Sequence, residues 1–221
     1  MELSEIKGKV PEQLYGILSK EITGLRPSQE KAIAAGLLRG KNLLVCTPTA
    51  SGKTLIAELA SLSAILSGKG KAIYIVPLKA LASEKFRNFK KRYGHAAKIA
   101  LSIGDLDSAD GYLADYDLII CTAEKLDSLL RHHAPWLSMV SVVVVDEVHL
   151  MNDPGRGPTL EILMTILRQL LKKMQLIALS ATIGNSEELA KWLDAALVID
   201  TWRPVKLHQG IYYEDKLEFR K

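Results

Sequence analysis

Cysteine is scarce in this chain: Cys46 and Cys121 are the only two among 221 residues. Each closes an apolar run and the pair shares no metal-ligand spacing. Both therefore read as buried strand residues in a reducing compartment, which excludes a disulfide framework and a cysteine zinc site. Long apolar runs are lacking too, since none approaches the roughly 18 residues that cross a bilayer. The N-terminal Met1-Glu2-Leu3-Ser4-Glu5 is polar and has no signal-peptide core. A soluble, cytoplasmic, monomeric chain with no membrane partner is expected. There is no internal repeat and no low-complexity linker. With 48% hydrophobic and 24% charged residues, disorder is excluded and one large domain is expected. Charge of one sign is in short supply as well. The net +4 permits nucleic-acid binding without requiring it.

What is present is an alternation. Short β-branched runs at Asn42–Cys46, Ala72–Val76, Lys98–Ile103, Asp117–Cys121, Val142–Val145, Gln175–Leu179 and Leu197–Asp200 read as strands. Between them, helices are expected at Pro27–Leu38, Lys53–Leu66, Leu78–Tyr93, Glu124–His132, Thr159–Lys173 and Ser186–Leu193. This order predicts an α/β fold with a mostly parallel sheet and helices on both faces. Val142-Val143-Val144-Val145 is apolar at every position, as a strand covered on both sides must be. In such sheets ligands gather outside the carboxyl ends of the strands.

Two segments at those ends carry chemistry. Thr49-Ala50-Ser51-Gly52-Lys53-Thr54 joins a strand to a helix through small residues. A helix N-terminus there offers unpaired N–H groups and a positive dipole end to phosphate oxygens. Gly52 allows close approach of the backbone, Lys53 can reach the β/γ-phosphates, and the Thr54 hydroxyl can ligate Mg²⁺. Thr47 stands where the general phosphate-loop pattern has its first glycine. The second segment, Asp146-Glu147-Val148-His149, follows the four valines. It places Asp146 to hold Mg²⁺ and Glu147 to polarise a water for attack on the γ-phosphate. Lys53, Asp146 and Glu147 are the candidate catalytic residues, and ATP and Mg²⁺ the candidate cofactors.

With these residues in place, the chain resembles the first RecA-like domain of superfamily-two helicases of the DEAD/DExH kind. Their phosphate loop has the form Pro48-Thr49-Ala50-Ser51-Gly52-Lys53-Thr54, which accounts for Thr47. Leu25-Arg26-Pro27-Ser28-Gln29 is similar to the Q motif, implying that Gln29 reads adenine. Val76-Pro77-Leu78-Lys79-Ala80-Leu81 resembles motif Ia, Thr122-Ala123-Glu124-Lys125 motif Ib, and Ser180-Ala181-Thr182 motif III. The resemblance implies that His149, Ser180 and Thr182 couple nucleotide state to movement between two motor domains. Pro77-Leu78-Lys79-Ala80-Leu81-Ala82-Ser83-Glu84-Lys85, Gly104-Asp105, Glu124-Lys125-Leu126-Asp127-Ser128-Leu129, Arg156-Gly157-Pro158-Thr159-Leu160-Glu161 and Trp202-Arg203-Pro204-Val205 are similar to the Ski-two-like branch. Within it they lie nearest the archaeal HelQ-type DNA-repair helicases.

The resemblance implies an ATP-dependent 3′-to-5′ DNA helicase acting in replication-fork repair on single-stranded or forked DNA. An RNA helicase of the same branch and a nucleotide-gated binding module are the alternatives. Residues 1–203 then form the first RecA-like domain, and 204–221 begin the crossing into a second, which supplies an arginine finger. Pro77, Leu78, Lys79, Gly104, Asp105, Thr122 and Glu124 are the expected nucleic-acid contacts, made to phosphates and sugars. Thr122 also reads as a helix N-cap serving Lys125, and Gly104-Asp105 also as a plain turn. The basic run Lys85, Arg87, Lys90, Lys91 and Arg92 reads as the solvated face of a helix whose apolar side carries Phe86, Phe89 and Tyr93. His132 and His133 read as surface, Trp136 and Trp192 as packing, and Trp202 as exposed.

Overall fold

A computed structural model describes residues 1–104, 110–206 and 210–219. Seven strands, β1 (Leu43–Cys46), β2 (Lys71–Val76), β3 (Ile99–Ser102), β4 (Leu118–Thr122), β5 (Val140–Val145), β6 (Gln175–Ser180) and β7 (Ala196–Ile199), form one sheet. Its order is β3-β4-β2-β5-β6-β1-β7 and every pairing is parallel. A separate antiparallel hairpin joins β8 (Gly210–Tyr213) and β9 (Lys216–Phe219). The helices are α1 (Glu12–Leu18), α2 (Pro27–Ala35), α3 (Lys53–Leu66), α4 (Lys79–Tyr93), α5 (Ala123–Arg131), α6 (Gly157–Leu170) and α7 (Ser186–Leu193).

Strand alternation sorts the core into two layers. Leu43, Val45, Tyr74, Val76, Val142 and Val144 face α1 to α4, while Leu44, Cys46, Ile75, Val143 and Val145 face α5 to α7. The valine run of β5 is therefore buried on both sides, between β2 and β6 at the centre of the sheet.

Element boundaries follow local chemistry. Pro27 starts α2, where its missing N–H costs nothing. The helix stops at Ala35, earlier than the expected Leu38, because Gly36 takes a left-handed φ of 115°. A 3₁₀ turn at Leu37–Arg39 then leads into β1. The sequence pattern also placed nothing before Pro27. The structure has a 3₁₀ turn at Leu3–Ile6 and α1 there, both contributing to the core layer of α1 to α4, with α1 against α3.

Candidate nucleotide and nucleic-acid site

The phosphate loop lies between the end of β1 and the start of α3. Ala50 and Gly52 both have positive φ, 65° and 94°. A Cβ at Gly52 would stand 2.5 Å from Gln29 Nε2, so only glycine fits. Gln29 is 3% exposed. Its Nε2 donates to the Gly52 carbonyl at 3.0 Å, and its Oε1 accepts from the Arg26 N–H at 2.8 Å. Arg26 Nη1 donates to the Ala50 carbonyl at 2.6 Å, and its guanidinium lies 5.5 Å from the Trp202 ring centroid. Gln29 and Arg26 thus brace the loop from below. Ser51 is fully buried and its Oγ pairs with Thr47 Oγ1 at 2.7 Å. Thr47 therefore has a use of its own at the position where other phosphate loops have glycine.

Lys53 is the first residue of α3 and is 9% exposed. Its ammonium donates to the carbonyls of Thr47 and Ser180, each at 3.0 Å. Among the described residues no carboxylate pairs with it. A nearly buried cation held only by neutral oxygens, at a helix N-terminus, is an uncompensated positive site that favours an anion.

Asp146 extends β5, its N–H donating to the Ile75 carbonyl at 2.9 Å. Its Oδ2 accepts from the Tyr74 hydroxyl at 2.9 Å and lies 3.3 Å from Lys85 Nζ. Burial first, and the Asp146 carboxylate second, hold the Tyr74 phenol well above its ordinary pKa, so it remains a donor. Lys85 Nζ also donates to Thr54 Oγ1 at 3.0 Å. Thr54 and Asp146 thus both contact the one Lys85 ammonium. A hydroxyl and a carboxylate oxygen are donors of the kind Mg²⁺ takes.

Glu147 sits in a left-handed turn with φ of 55°, and its Oε2 lies 3.5 Å from His149 Nδ1. The same Nδ1 accepts from the Ala181 N–H at 3.4 Å. Of the motif around Ala181, Ser180 is fully buried with its side chain beside the Cys46 thiol, whereas Thr182 is exposed. The side chain of Ser180 is thus packed inside, and its carbonyl is the part that meets the phosphate loop.

Pro77, Leu78 and Lys79 occupy the turn from β2 into α4. Leu78 is 42% exposed and Lys79 is exposed. Thr122 is 4% exposed and its Oγ1 accepts from the Lys125 N–H at 3.4 Å. It is the N-cap of α5, and Glu124 beside it is the exposed member of that pair. Gly104 is exposed after β3, and Asp105 lies outside the described residues.

The basic run on α4 departs from expectation. Arg87, Lys90 and Lys91 face solvent, but Lys85 turns in to Asp146 and Arg92 to Glu58 at 2.6 Å. The buried stripe Ala82, Phe89 and Tyr93 has the spacing that also brings positions 85 and 92 inward. That spacing was the available signal, and the density of charge masked it. Trp136 is buried and Trp192 partly so, both packed as expected.

A family model for the DEAD/DEAH box helicases matches residues 26–189. The chain belongs to this family. Within the DEAD/DEAH box helicases it is similar to ATP-dependent DNA helicase Hel308 of Pyrococcus horikoshii, at 50% identity over 97% of this chain and 29% of that protein. Hel308 of Methanocaldococcus jannaschii is 56% identical over 90% of this chain and 17% of that protein. These matches accord with the Ski-two-like, HelQ-type resemblance. The chain spans less than a third of the length of these curated relatives. Among solved structures, the helicase MrfA bound to DNA and AMPPNP superposes with a TM-score of 0.76 at 27% identity, over 87% of this chain and 29% of that one. Helicase Lhr of Mycobacterium smegmatis, bound to single-stranded DNA and AMP-PNP, gives 0.73 at 29% identity, over 86% and 28%. The RecA-like sheet is thus shared with these helicases. No helix among the described residues is long and apolar enough to cross a membrane.

Proposed function

We propose that this chain is the ATP-binding motor domain of an ATP-dependent DNA helicase that unwinds forked DNA in the 3′-to-5′ sense during fork repair. Residues 1–203 form its first RecA-like domain, and the segment from 204 onward begins the crossing to a second. The observation that carries the reading is the Lys53 ammonium, buried on two carbonyls at a helix N-terminus beside the Thr54–Asp146 pair.

In this reading the phosphates take the place of the carbonyl oxygens that now hold Lys53, and the N–H groups of Gly52, Lys53 and Thr54 receive their oxygens. Thr54 and Asp146 are the ligands for Mg²⁺, which when bound neutralises charge on the β- and γ-phosphates. Glu147 accepts the proton of the attacking water. Gln29 reads adenine by exchanging a bond that its amide now makes to Gly52 or Arg26. Pro77, Leu78, Lys79, Gly104 and Glu124 track the backbone of a single strand. The second RecA-like domain supplies the arginine finger, an element worth roughly 10³–10⁵ in rate, so the present chain hydrolyses ATP very slowly.

Calorimetry tests this directly. Weak, Mg²⁺-dependent ADP and ATP binding is expected, abolished by Lys53→Ala, with turnover near background. Turnover at tens of events per second by this chain alone would refute the two-domain reading. Preference for RNA over single-stranded DNA would move the substrate to the RNA branch.

A further inference from the structure

Lys85 lies on the second turn of α4, apart from the phosphate loop and the Asp146-Glu147 turn. Yet its single ammonium joins them. Nζ donates to Thr54 Oγ1 at 3.0 Å, lies 3.3 Å from Asp146 Oδ2, and stands 5.4 Å from the centroid of the Tyr74 ring. The side chains are only 18% and 11% exposed for Lys85 and Asp146. Three elements, α3, α4 and the end of β5, therefore meet on one cation. Mg²⁺ binds oxygens at about 2.0–2.1 Å and demands a compact octahedral shell. An ammonium hydrogen-bonded to one of these oxygens and ion-paired with the other occupies the donor side that such an ion needs, and like charges at that separation repel.

We infer that Lys85 is a resident counter-cation of the metal position: it holds Thr54 and Asp146 together in the absence of metal and must withdraw for Mg²⁺ to bind. This inference rests on the reading of Thr54 and Asp146 as metal ligands. Lys85 is a positioning residue here, and makes nucleotide binding less dependent on metal than the bare ligand pair would. Without metal, its charge screens the Asp146 carboxylate from an incoming phosphate. With metal, its withdrawal weakens binding. Both effects lower the ratio of ADP affinity with Mg²⁺ to affinity without it.

The test compares that ratio in the wild-type chain and Lys85→Met, using fluorescent ADP with Mg²⁺ or with EDTA. The ratio is expected to rise about threefold or more in the variant, the scale of one partly exposed ion pair. Mg²⁺ alone, without nucleotide, should raise the melting temperature of Lys85→Met and leave wild type almost unmoved. A purely structural lysine would lower both melting temperatures equally with and without Mg²⁺, and that result overturns the proposal. An unchanged affinity ratio does so too, while leaving the metal ligands standing. If wild-type binding shows no Mg²⁺ dependence at all, the ligand assignment fails and Lys85 loses its role with it. Should Lys85→Met not fold, Lys85→Gln, which keeps an N–H donor without charge, is read in the same way. Reductive methylation of the wild-type chain gives a check free of variants. Lys85 should label faster with Mg²⁺–ADP than with ADP in EDTA, and equal labelling counts against the proposal.

Discussion

The backbone N–H of Ala181 donates to Nδ1 of His149 across 3.4 Å, tying the end of β6 to the turn that carries Glu147. The same peptide group accepts from Lys53 Nζ and the Thr47 N–H through the Ser180 carbonyl, so one peptide joins the Glu147 turn to the phosphate loop. In a two-domain enzyme, His149→Ala is expected to reduce strand separation several-fold more than ATP hydrolysis. Thr182→Ala, at an exposed position, should do likewise. Ser180→Ala should cost little stability, because the buried Oγ has only the weakly bonding Cys46 thiol as its neighbour. Unwinding and hydrolysis measured on the same preparations decide this, and equal losses in the His149 and Thr182 variants would count against coupling.

Lys53 and Gly52 fail in different ways. Lys53→Ala removes a cation that neutral carbonyls hold, so the fold should survive while ADP affinity drops at least about tenfold, or 1.4 kcal/mol. Gly52→Ala forces a Cβ to within 2.5 Å of Gln29 Nε2 at a φ of 94°. It should cost on the order of 1–3 kcal/mol of stability in addition to binding. Urea denaturation beside ADP titration separates the two outcomes.

Glu147→Gln should leave ATP binding intact and remove nearly all turnover in the two-domain enzyme, because the amide cannot accept a proton from water. Asp146→Asn should instead weaken Mg²⁺-nucleotide binding. Normal turnover by the Glu147 variant would exclude its role as the base.

Lys79 is exposed where β2 gives way to α4. Lys79→Ala should weaken single-strand binding across all sequences and flatten the salt dependence by about one unit of slope. Binding isotherms at several salt concentrations test it, and an unchanged slope removes Lys79 from the contact surface.

Both thiols are shielded. Burial pushes the Cys121 pKa up to about 12 and raises that of Cys46 as well. Neither should react with iodoacetamide at pH 8 until the chain unfolds, whereupon both should. The folded pKa lies above the unfolded value. As pH rises past the ordinary thiol range, near 8.5, the unfolded chain ionises first and native stability falls. Melting curves between pH 8 and 11 should show that decline, reduced in Cys121→Ala.

The sheet was legible in the sequence because its strands are apolar on both faces, and α3 and α7 because their first residues follow unambiguous breaks at Gly52 and Asn185. The phosphate loop and the Asp146-Glu147 turn were legible for the same reason: each interrupts a buried strand with polar residues that a core does not tolerate. What stayed hidden depended on direction. A lysine in a run of five basic residues looks solvated until the helix phase is fixed by its apolar neighbours, and Lys85 shares the phase of Phe89. Nor does spacing reveal that Gln29 spends both ends of its amide on the protein, because its partners, Arg26 and Gly52, belong to different segments.

The first two dozen residues bear on where this unit of folding starts. Leu3, Ile6, Leu14 and Leu18 are at most 2% exposed and belong to the same core layer as Val45 and Tyr74. Arg92 ties this stretch down further, bridging Glu21 at 2.7 Å and Glu58 at 2.6 Å. At about 2 kcal/mol per buried aliphatic side chain, those four residues alone represent roughly 8 kcal/mol as an upper bound. A whole domain is stable by only about 5–15 kcal/mol. A chain trimmed to begin at Arg26, where the family match begins, would keep every residue proposed to touch nucleotide but expose the core face that these four side chains cover.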